Sequence, residues 1–394
     1  MKLVSHHDLG GYGNVGEGIA IHQYPGGQRL LFLAHESSPK DVTVVDVTDV
    51  ANPRVVNQTE LPHREMRSNS LAAVGDILYV AYQVARPGMK PAGMGIYDIS
   101  KPGELRQISF FDTSGPGSRG VHCLWCVDGR YAYLSTGSSD LNPRNPKDDQ
   151  FYMCVDVSDP AQPQEVGRWW LPGTMDSDEE DPPERHPHFD TGFRLHNANV
   201  YPQRPDRAYL GYIDAGFITL DISDMAKPKV VNHVDYHPPL IGFTHTVVPL
   251  FQRELLVVSE EAITQDGCAD WPKLVWIVDV SVESNPVMLS TLPMHKETYE
   301  NLPGRYGAHN IHENQPVPTS HIDENIVYGT YFNGGIRVHD ISDPFRPEEV
   351  AYFVPPVPEG APANGVNDVY VDENQLIYTV DRIAGGLYIL EPDF

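Results

Sequence analysis

The sequence predicts an all-β fold, a seven-bladed β-propeller, from a repeated acidic motif, the spacing of its copies and the lack of any sustained helical period. In the motif, an apolar strand ends in an acidic residue that a polar turn follows. Seven copies end in Asp46, Asp98, Asp156, Asp221, Asp279, Asp340 and, in degenerate form, Glu391. By subtraction, successive acidic residues lie 51 to 65 positions apart. Repeats of about 40 to 60 residues with four strands are typical of propeller blades, whereas helical repeats are shorter.

The sixth repeat shows the four strands of one blade. Its apolar runs lie near 308–312, 326–332, 335–341 and 348–353, and turn residues separate them. We expect one domain over residues 1–394, with blades near 15–62, 66–113, 119–173, 192–238, 242–294, 306–355 and 364–394 plus 1–9. Because the last repeat ends after its third strand, segment 2–5 is expected to supply the outer strand of that blade. This pairing closes the ring and removes two open sheet edges.

Composition bears on the partners of the chain. Its 28 Lys and Arg residues against 54 Asp and Glu residues give a net charge of −26. A field of this sign repels nucleic acid and anionic membrane surfaces. The sequence has no run of 18 apolar residues and no N-terminal signal pattern, so we expect a soluble cytoplasmic protein. The oligomeric state is not readable from the sequence.

Four histidines recur at one point of consecutive repeats, each at the head of a short apolar run. They are His122, His196, His245 and His309, and three further repeats place Glu17, Asn69 and Asn367 at the equivalent point. The innermost strand of each propeller blade lines the axis, so equivalent side chains converge at one level. The repeat register therefore predicts a metal held by four imidazoles. The alternative is a polar axial channel in which these histidines only form hydrogen bonds.

The residues around the recurring Asp carry a structural prediction and a resemblance. Asp side chains readily accept backbone N–H bonds, so we expect each Asp to cap the turn that follows it. The patterns Val-Val-Asp-Val-Thr-Asp and Ile-Ser-Asp-Pro resemble the LVIVD-repeat proteins, which implies a β-propeller and leaves the activity open. In site design, the four histidines are similar to carotenoid cleavage oxygenases, which hold Fe(II) with four histidines, and to the selenium-binding protein and methanethiol oxidase group.

These resemblances bear on the choice of metal. Imidazole ligands suit a divalent transition metal such as Fe, Mn, Cu or Zn, and they argue against Mg and Ca. The resemblance to the oxygenases favours Fe(II). Four neutral ligands leave coordination positions open, which is typical of a catalytic site.

Further polar residues near the ring are candidates for substrate or proton handling. Glu17 lies in the ring itself, and His312 follows His309 by two residues, so both are candidate catalytic residues for proton transfer. An arginine near a channel mouth is suited to hold a carboxylate or phenolate, although a salt bridge is the alternative for each. The candidate substrate-binding residues are Asn69, Asn367, Asp368, Arg67, Arg194 and Arg305.

An acidic, Pro-rich insertion at 175–188 precedes His196, and we expect either a solvated loop or a lid over the site. The sequence-based hypothesis is a non-haem iron oxygenase that acts on a small organic, possibly aromatic, substrate. The first alternative is a redox-neutral metal-dependent lyase, hydrolase or isomerase. The second is a non-catalytic interaction scaffold.

Overall fold

A computed structural model describes residues 1–394 and contains 29 strands and one helix, Lys296–Tyr299. The predicted all-β class is confirmed. No helix in the structure has the length and apolar character needed to cross a membrane.

The strands are numbered in chain order. The first thirteen are β1 Lys2–His7, β2 Val15–Gln23, β3 Arg29–His35, β4 Lys40–Asp46, β5 Arg54–Glu60, β6 Met66–Val74, β7 Ile77–Val84, β8 Gly93–Asp98, β9 Arg106–Asp112, β10 Val121–Trp125, β11 Tyr131–Thr136, β12 Phe151–Asp156 and β13 Gln164–Trp169. The next nine are β14 Asn197–Asn199, β15 Arg207–Gly211, β16 Phe217–Asp221, β17 Lys229–Val234, β18 Thr244–Leu250, β19 Leu255–Glu260, β20 Asp266–Gly267, β21 Val275–Asp279 and β22 Val287–Thr291. The last seven are β23 Gly304–Arg305, β24 Ile326–Thr330, β25 Ile336–Asp340, β26 Glu348–Phe353, β27 Val366–Val371, β28 Ile377–Asp381 and β29 Gly386–Glu391.

Strands within one repeat pair in sequence order, as the blade prediction requires. The four-strand series are β2 to β5, β6 to β9, β10 to β13, β14 to β17, and β18, β19, β21 and β22. In the last repeat, β27, β28 and β29 are joined by β1, which pairs antiparallel with β29 from Lys2 opposite Glu391 to His7 opposite Leu387. The prediction that the N-terminal segment supplies the outer strand of this sheet is confirmed.

The sixth repeat departs from the predicted four strands. It forms a three-stranded sheet of β24, β25 and β26, and segment 308–312 joins it through a single bridge between Ile311 and Gly329. The N–H of His309 donates to the carbonyl of Thr330 at 3.0 Å, and the N–H of Thr330 donates to the carbonyl of Asn310 at 2.8 Å. His309 and Asn310 thus both oppose Thr330, and this irregularity interrupts the hydrogen-bond ladder that a regular strand would need.

The recurring Asp residues cap their turns as predicted. In six repeats the Asp Oδ1 accepts the N–H of the residue two positions later, at 2.7 to 3.0 Å. Those donors are Thr48, Ser100, Ser158, Ser223, Ser281 and Ser342.

The chain divides into two compact units. The first unit comprises Met1–Glu36, Val42–Thr59 and Val248–Phe394, and the second comprises Ser37–Asp41 and Glu60–Val247. Apolar side chains between consecutive sheets form the core of each. In the first unit, Leu31 and Val45 pack with Tyr378 and Ile389. In the second unit, the buried side chains of β7 and β8 pack with those of β10, β11 and β12.

Candidate functional site

A β-bulge lies at the ring position of several repeats. In β10, Val121 pairs with Thr136 and Cys123 with Ser135, so His122 is the extra residue. In β27, Asn367 is extra in the same way between Val366 and Asp368. His196 and Asn197 both oppose Gly211, since the N–H of His196 donates to the Gly211 carbonyl at 2.8 Å and Asn197 pairs with the same residue. A β-bulge changes the direction in which a side chain points and is common beside functional sites. These bulges therefore set the direction of the side chains at the ring position.

Three predicted ligands meet in the second unit and form what we call the three-histidine cluster, His122, His196 and His245. The Nε2 atoms of His122 and His196 lie 2.9 Å apart. The rings of His196 and His245 have centroids 3.6 Å apart. All three side chains are buried, with exposures of 8%, 1% and 0%. His196 therefore contacts both other imidazoles, and the joint role of the three as metal ligands remains a prediction from the sequence.

Glycine at position 211 permits this approach. A Cβ on Gly211 would lie 2.0 Å from the carbonyl oxygen of His245. Such a distance is far inside van der Waals contact, so any side chain at 211 would push the two inner segments apart.

The Nδ1 atoms of the cluster contact polar neighbours that can fix the ring orientation. His196 Nδ1 lies 2.7 Å from Asn197 Oδ1, and His245 Nδ1 lies 2.6 Å from Thr246 Oγ1. When Nδ1 donates to these oxygens, Nε2 carries the lone pair that a metal requires. Hydrogen bonding of the second ring nitrogen is the usual support for a metal-ligating histidine.

His122 has two ways to satisfy its ring nitrogens. Its Nδ1 lies 3.0 Å from Arg67 Nη2, which can only donate, and 3.1 Å from Gln83 Oε1, which accepts. With Nδ1 accepting from Arg67, Nε2–H donates to His196. When Nδ1 instead donates to Gln83, the Nε2 lone pairs of His122 and His196 face each other across 2.9 Å. This second arrangement needs a cation that both nitrogens bind.

The donor set fits a divalent transition metal. Two imidazole nitrogens bound at about 2.1 Å and at right angles lie about 3.0 Å apart, close to the spacing of His122 and His196. Buried imidazole donors match metals such as Fe, Cu or Zn better than Mg or Ca.

The fourth predicted histidine belongs to a second group, which we call the carboxylate–histidine cluster, Glu17, Glu261 and His309 of the first unit. His309 Nε2 lies 3.6 Å from Glu17 Oε1 and 3.6 Å from Glu261 Oε1. His309 Nδ1 donates to the Asn367 carbonyl at 2.6 Å, which fixes its tautomer. Burial alone would lower the pKa of His309, but the charges of Glu261 and Glu17 raise it. The surroundings of Nε2 therefore favour positive charge.

Asn69 and Asn367 hold neighbouring inner segments. Asn69 Nδ2 donates to the His122 carbonyl at 3.2 Å. Asn367 Nδ2 donates to the carbonyls of Val15 and Gly16, directly before Glu17. Both side chains are fully buried. Their Nδ2 groups thus hold backbone oxygens, and substrate contact by these two side chains remains a prediction from the sequence.

His312 does not have the surroundings of a proton shuttle. Its Nε2 donates to the His321 carbonyl at 2.8 Å, and its Nδ1 accepts the Val371 N–H at 3.2 Å. Burial lowers the pKa of His312 to about 4, so the ring is neutral. Both nitrogens contact main-chain groups, which is the packing arrangement, and the catalytic role of His312 remains a prediction from the sequence.

Asp368 is buried beside the carboxylate–histidine cluster. Its Oδ1 accepts the N–H of Val369 at 2.8 Å. Burial raises the pKa of Asp368 to about 8, and the charges of Glu313 and Glu17 act in the same direction. This carboxyl group is predominantly protonated at neutral pH, so it is suited to donate a hydrogen bond rather than to bind a cation.

The predicted arginines lie next to the histidines in both units. Arg67 contacts His122 and Gln83, and Arg194 donates to Gln150 Oε1 at 3.0 Å. Arg305 pairs with Glu261 at 3.1 Å, and its guanidinium lies over Phe332. For Arg305 the structure therefore shows the salt bridge that was the alternative to substrate binding.

The insertion at 175–188 is fastened to its own surroundings. Asp178 Oδ2 accepts the N–H groups of Gly173 and Met175, and Arg144 donates to the Glu180 carbonyl. The insertion lines a cavity of about 450 Å³, but His196 is not among the lining residues. It is thus a wall of this cavity, and a lid over His196 remains one of the two alternatives from the sequence.

Sequence reasoning missed the residues that orient the ring nitrogens. Gln83 is far from His122 in sequence, and nothing in the repeat pattern marks it. Asn197 and Thr246 had a usable signal, because each directly follows a ring histidine. Glu261 contacts His309 as closely as Glu17 does, although it lies outside the ring register.

Comparison with known proteins supports the fold. The LVIVD repeat model matches residues 148–170 and 206–236. The Cps50 (Swd1) β-propeller domain of Myceliophteria thermophila is similar at a TM-score of 0.56 and 13% identity, covering 96% of this chain and 98% of that one. A hypothetical selenium-binding protein from Sulfolobus tokodaii has a TM-score of 0.57 and 12% identity, covering 94% of this chain and 89% of that one.

A further similar structure is Chaetomium thermophilum Sqt1 bound to the N-terminus of ribosomal protein L10. Its TM-score is 0.59 at 13% identity, with 99% of this chain and 100% of that chain covered. A comparison with curated proteins finds no match. Together with the strand pairing, these similarities support a β-propeller fold, and the LVIVD repeat model matches two of its segments. At such low identity they carry the fold alone.

Proposed function

We propose that this protein is a metal-dependent β-propeller enzyme whose ion is held by the three-histidine cluster. The observation that carries the proposal is the pair of buried Nε2 atoms 2.9 Å apart, with polar acceptors beside the Nδ1 atoms of all three rings. The repeat register adds His309 as a fourth ligand, and this remains a prediction from the sequence.

The residues of the chain have distinct tasks in this proposal. Asn197 and Thr246 hold His196 and His245 in the tautomer that presents Nε2. Gln83 does the same for His122 when its Nδ1 carries the proton. Glu17, whose carboxylate lies 3.6 Å from His309 Nε2, is proposed to move a proton during the reaction.

The favoured chemistry is that of a non-haem iron oxygenase acting on a small organic substrate. An Fe(II) ion would supply dioxygen activation, and Mn, Cu or Zn are the other metals that the donors suit. The choice of iron rests on the resemblance in site design to four-histidine oxygenases. A redox-neutral lyase, hydrolase or isomerase reaction, in which the metal acts as a Lewis acid, is the alternative.

The test begins with metal analysis of protein purified without chelator, beside His196→Ala. About one equivalent of transition metal in the wild type and a large loss in the folded variant support the proposal. No metal in either protein, even after reconstitution, would favour the interaction scaffold. Oxygen uptake with a panel of small organic compounds then separates the two chemistries, because turnover without uptake indicates a redox-neutral reaction.

A further inference from the structure

Three arginines lie beside the three-histidine cluster, and two of them pair with one buried carboxylate. We call Arg67, Arg119 and Arg194 the arginine triad. Arg119 Nε lies 2.5 Å from Asp149 Oδ2, and Arg194 Nη1 lies 3.6 Å from Asp149 Oδ1. Asp149 is only 2% exposed. One carboxylate is thus shared by two guanidinium groups.

Arg67 is brought to the same place by Gln83. The side-chain oxygen of Gln83 accepts from Arg67 Nε at 3.0 Å, and the main chain of Gln83 bridges to Gly120, next to Arg119. The N–H of Val84 also donates to the carbonyl of Arg119 at 2.9 Å. The triad therefore has a fixed arrangement in the second unit.

Positive charge exceeds negative charge in this arrangement. Arg194 has neutral oxygens as its two hydrogen-bond acceptors, Gln150 Oε1 and the Thr191 carbonyl. Burial lowers the pKa of Arg194, and the charges of Arg119 and Arg67 act in the same direction, whereas the charges of Asp149 and Asp214 oppose it. Three guanidinium groups against these two carboxylates leave an excess of positive charge in a chain of net charge −26. A bound anion would balance it.

An aromatic side chain and two of the proposed metal-ligating histidines lie near the arginine triad. Arg67 contacts the ring of His122, and Arg194 precedes His196 by two residues. The ring of Phe243 lies against His196 with centroids 5.9 Å apart. Phe243 has a backbone φ of 104°, a left-handed value that is strained for a bulky residue and is found mainly at functional sites.

We propose that the arginine triad binds the carboxylate of a small aromatic acid and holds its ring toward Phe243 and the three-histidine cluster. This inference rests on the proposed function and names its substrate class. The planar fork of arginine matches a carboxylate in two parallel hydrogen bonds, which a neutral amide cannot reproduce.

Calorimetric titration with benzoate, and with benzamide as its uncharged counterpart, tests the inference. Benzoate is expected to bind chelator-treated protein, and benzamide at least tenfold more weakly. Arg194→Gln and Arg119→Gln should each weaken benzoate binding at least tenfold. Arg194→Lys should recover part of the loss, because it restores charge without the fork. The control is Arg86→Gln, since Arg86 is an exposed arginine of the same unit paired with Glu65.

Equal binding of benzoate and benzamide would overturn the inference, as would unchanged benzoate affinity in both glutamine variants. Tighter binding of inorganic phosphate than of benzoate would also overturn it, because the site would then select phosphate. If Arg194→Gln unfolds, the Arg119→Gln and Arg194→Lys variants decide. The use of metal-free protein separates the two proposals. Metal binding without benzoate binding refutes only the proposed substrate class. Benzoate binding without metal binding refutes only the proposed metal site.

Discussion

The three-histidine cluster and the carboxylate–histidine cluster each group three potential ligands but differ in charge. The first is defined by three imidazoles, with neutral oxygens beside their Nδ1 atoms and the Arg67 guanidinium also beside that of His122. The second has one imidazole between two carboxylates, and Glu261 also pairs with Arg305 and lies 3.6 Å from Arg382. Neutral nitrogen donors suit transition metals, whereas a carboxylate that is paired with arginine, as Glu261 is, already has its charge balanced. The comparison teaches that two groups of ligand-type residues in one chain can differ in the charge that they present to an ion.

The largest effect that separates the clusters is expected for His196→Ala. Removing one of three buried nitrogens should weaken metal binding more than about 100-fold, because the remaining donors cannot complete the site. Competition titration with a chromophoric chelator measures this. His188→Ala, which changes an exposed histidine of the same unit, should leave the affinity unchanged. Equal affinities for both variants would contradict the assignment.

Gly211→Ala is expected to damage the three-histidine cluster through the backbone. The new methyl group would lie 2.0 Å from the His245 carbonyl, so the inner segments must separate, at a cost of about 1–3 kcal/mol. Urea denaturation measures the loss, and metal titration should show weaker binding. Gly26→Ala is the control, since a Cβ there has no neighbour within 4 Å. Equal stability of the two variants would show that this close approach is unnecessary.

Much of the fold was accessible from the sequence, because the Asp motif repeats and its turn chemistry is local. The same repeat register predicted that His122, His196 and His245 meet. It did not predict the bulges at His122 and Asn367, since a bulge depends on the partner strand. Nor did it predict Gln83 as the partner of Arg67 and His122, which arises from pairing between distant segments. Nor did it predict that two backbone groups hold the ring of His312.

A smaller effect is expected when an Nδ1 partner is removed. Thr246→Val keeps the shape of the side chain but deletes the oxygen 2.6 Å from His245 Nδ1, and metal affinity should fall about tenfold. Asn197→Asp is its counterpart: the carboxylate is a stronger acceptor for His196 Nδ1, so affinity should be retained or increased. The chelator titration measures both. A loss in Asn197→Asp equal to that in Thr246→Val would argue against orientation through Nδ1.

The smallest effect concerns the turns, which serve both units alike. Ser342 lies two residues after Asp340 and donates hydrogen bonds to it, which lowers the pKa of the Asp340 carboxyl group. A folded-state pKa below the unfolded value stabilises the fold above the unfolded pKa, and this contribution is lost as pH falls through the folded value. Asp340→Ala should therefore cost about 1 kcal/mol at pH 7, and the difference from wild type should shrink below about pH 4.

Urea denaturation at pH 7 and at pH 3.5 measures the Asp340 effect. Asp340→Asn is the control, because its amide oxygen still accepts the Ser342 N–H without titrating. A difference between wild type and Asp340→Ala that stays constant over this range would exclude the charged carboxylate as its source.

X-ray absorption spectroscopy of the metal-loaded protein distinguishes the two clusters by the atoms bound to the ion. The three-histidine assignment predicts at least three imidazole nitrogens at about 2.0–2.2 Å, with the outer-shell scattering that imidazole rings produce. Fewer such nitrogens should be found in His196→Ala. A first shell dominated by oxygen, unchanged in that variant, would contradict the assignment and place the metal on carboxylates instead.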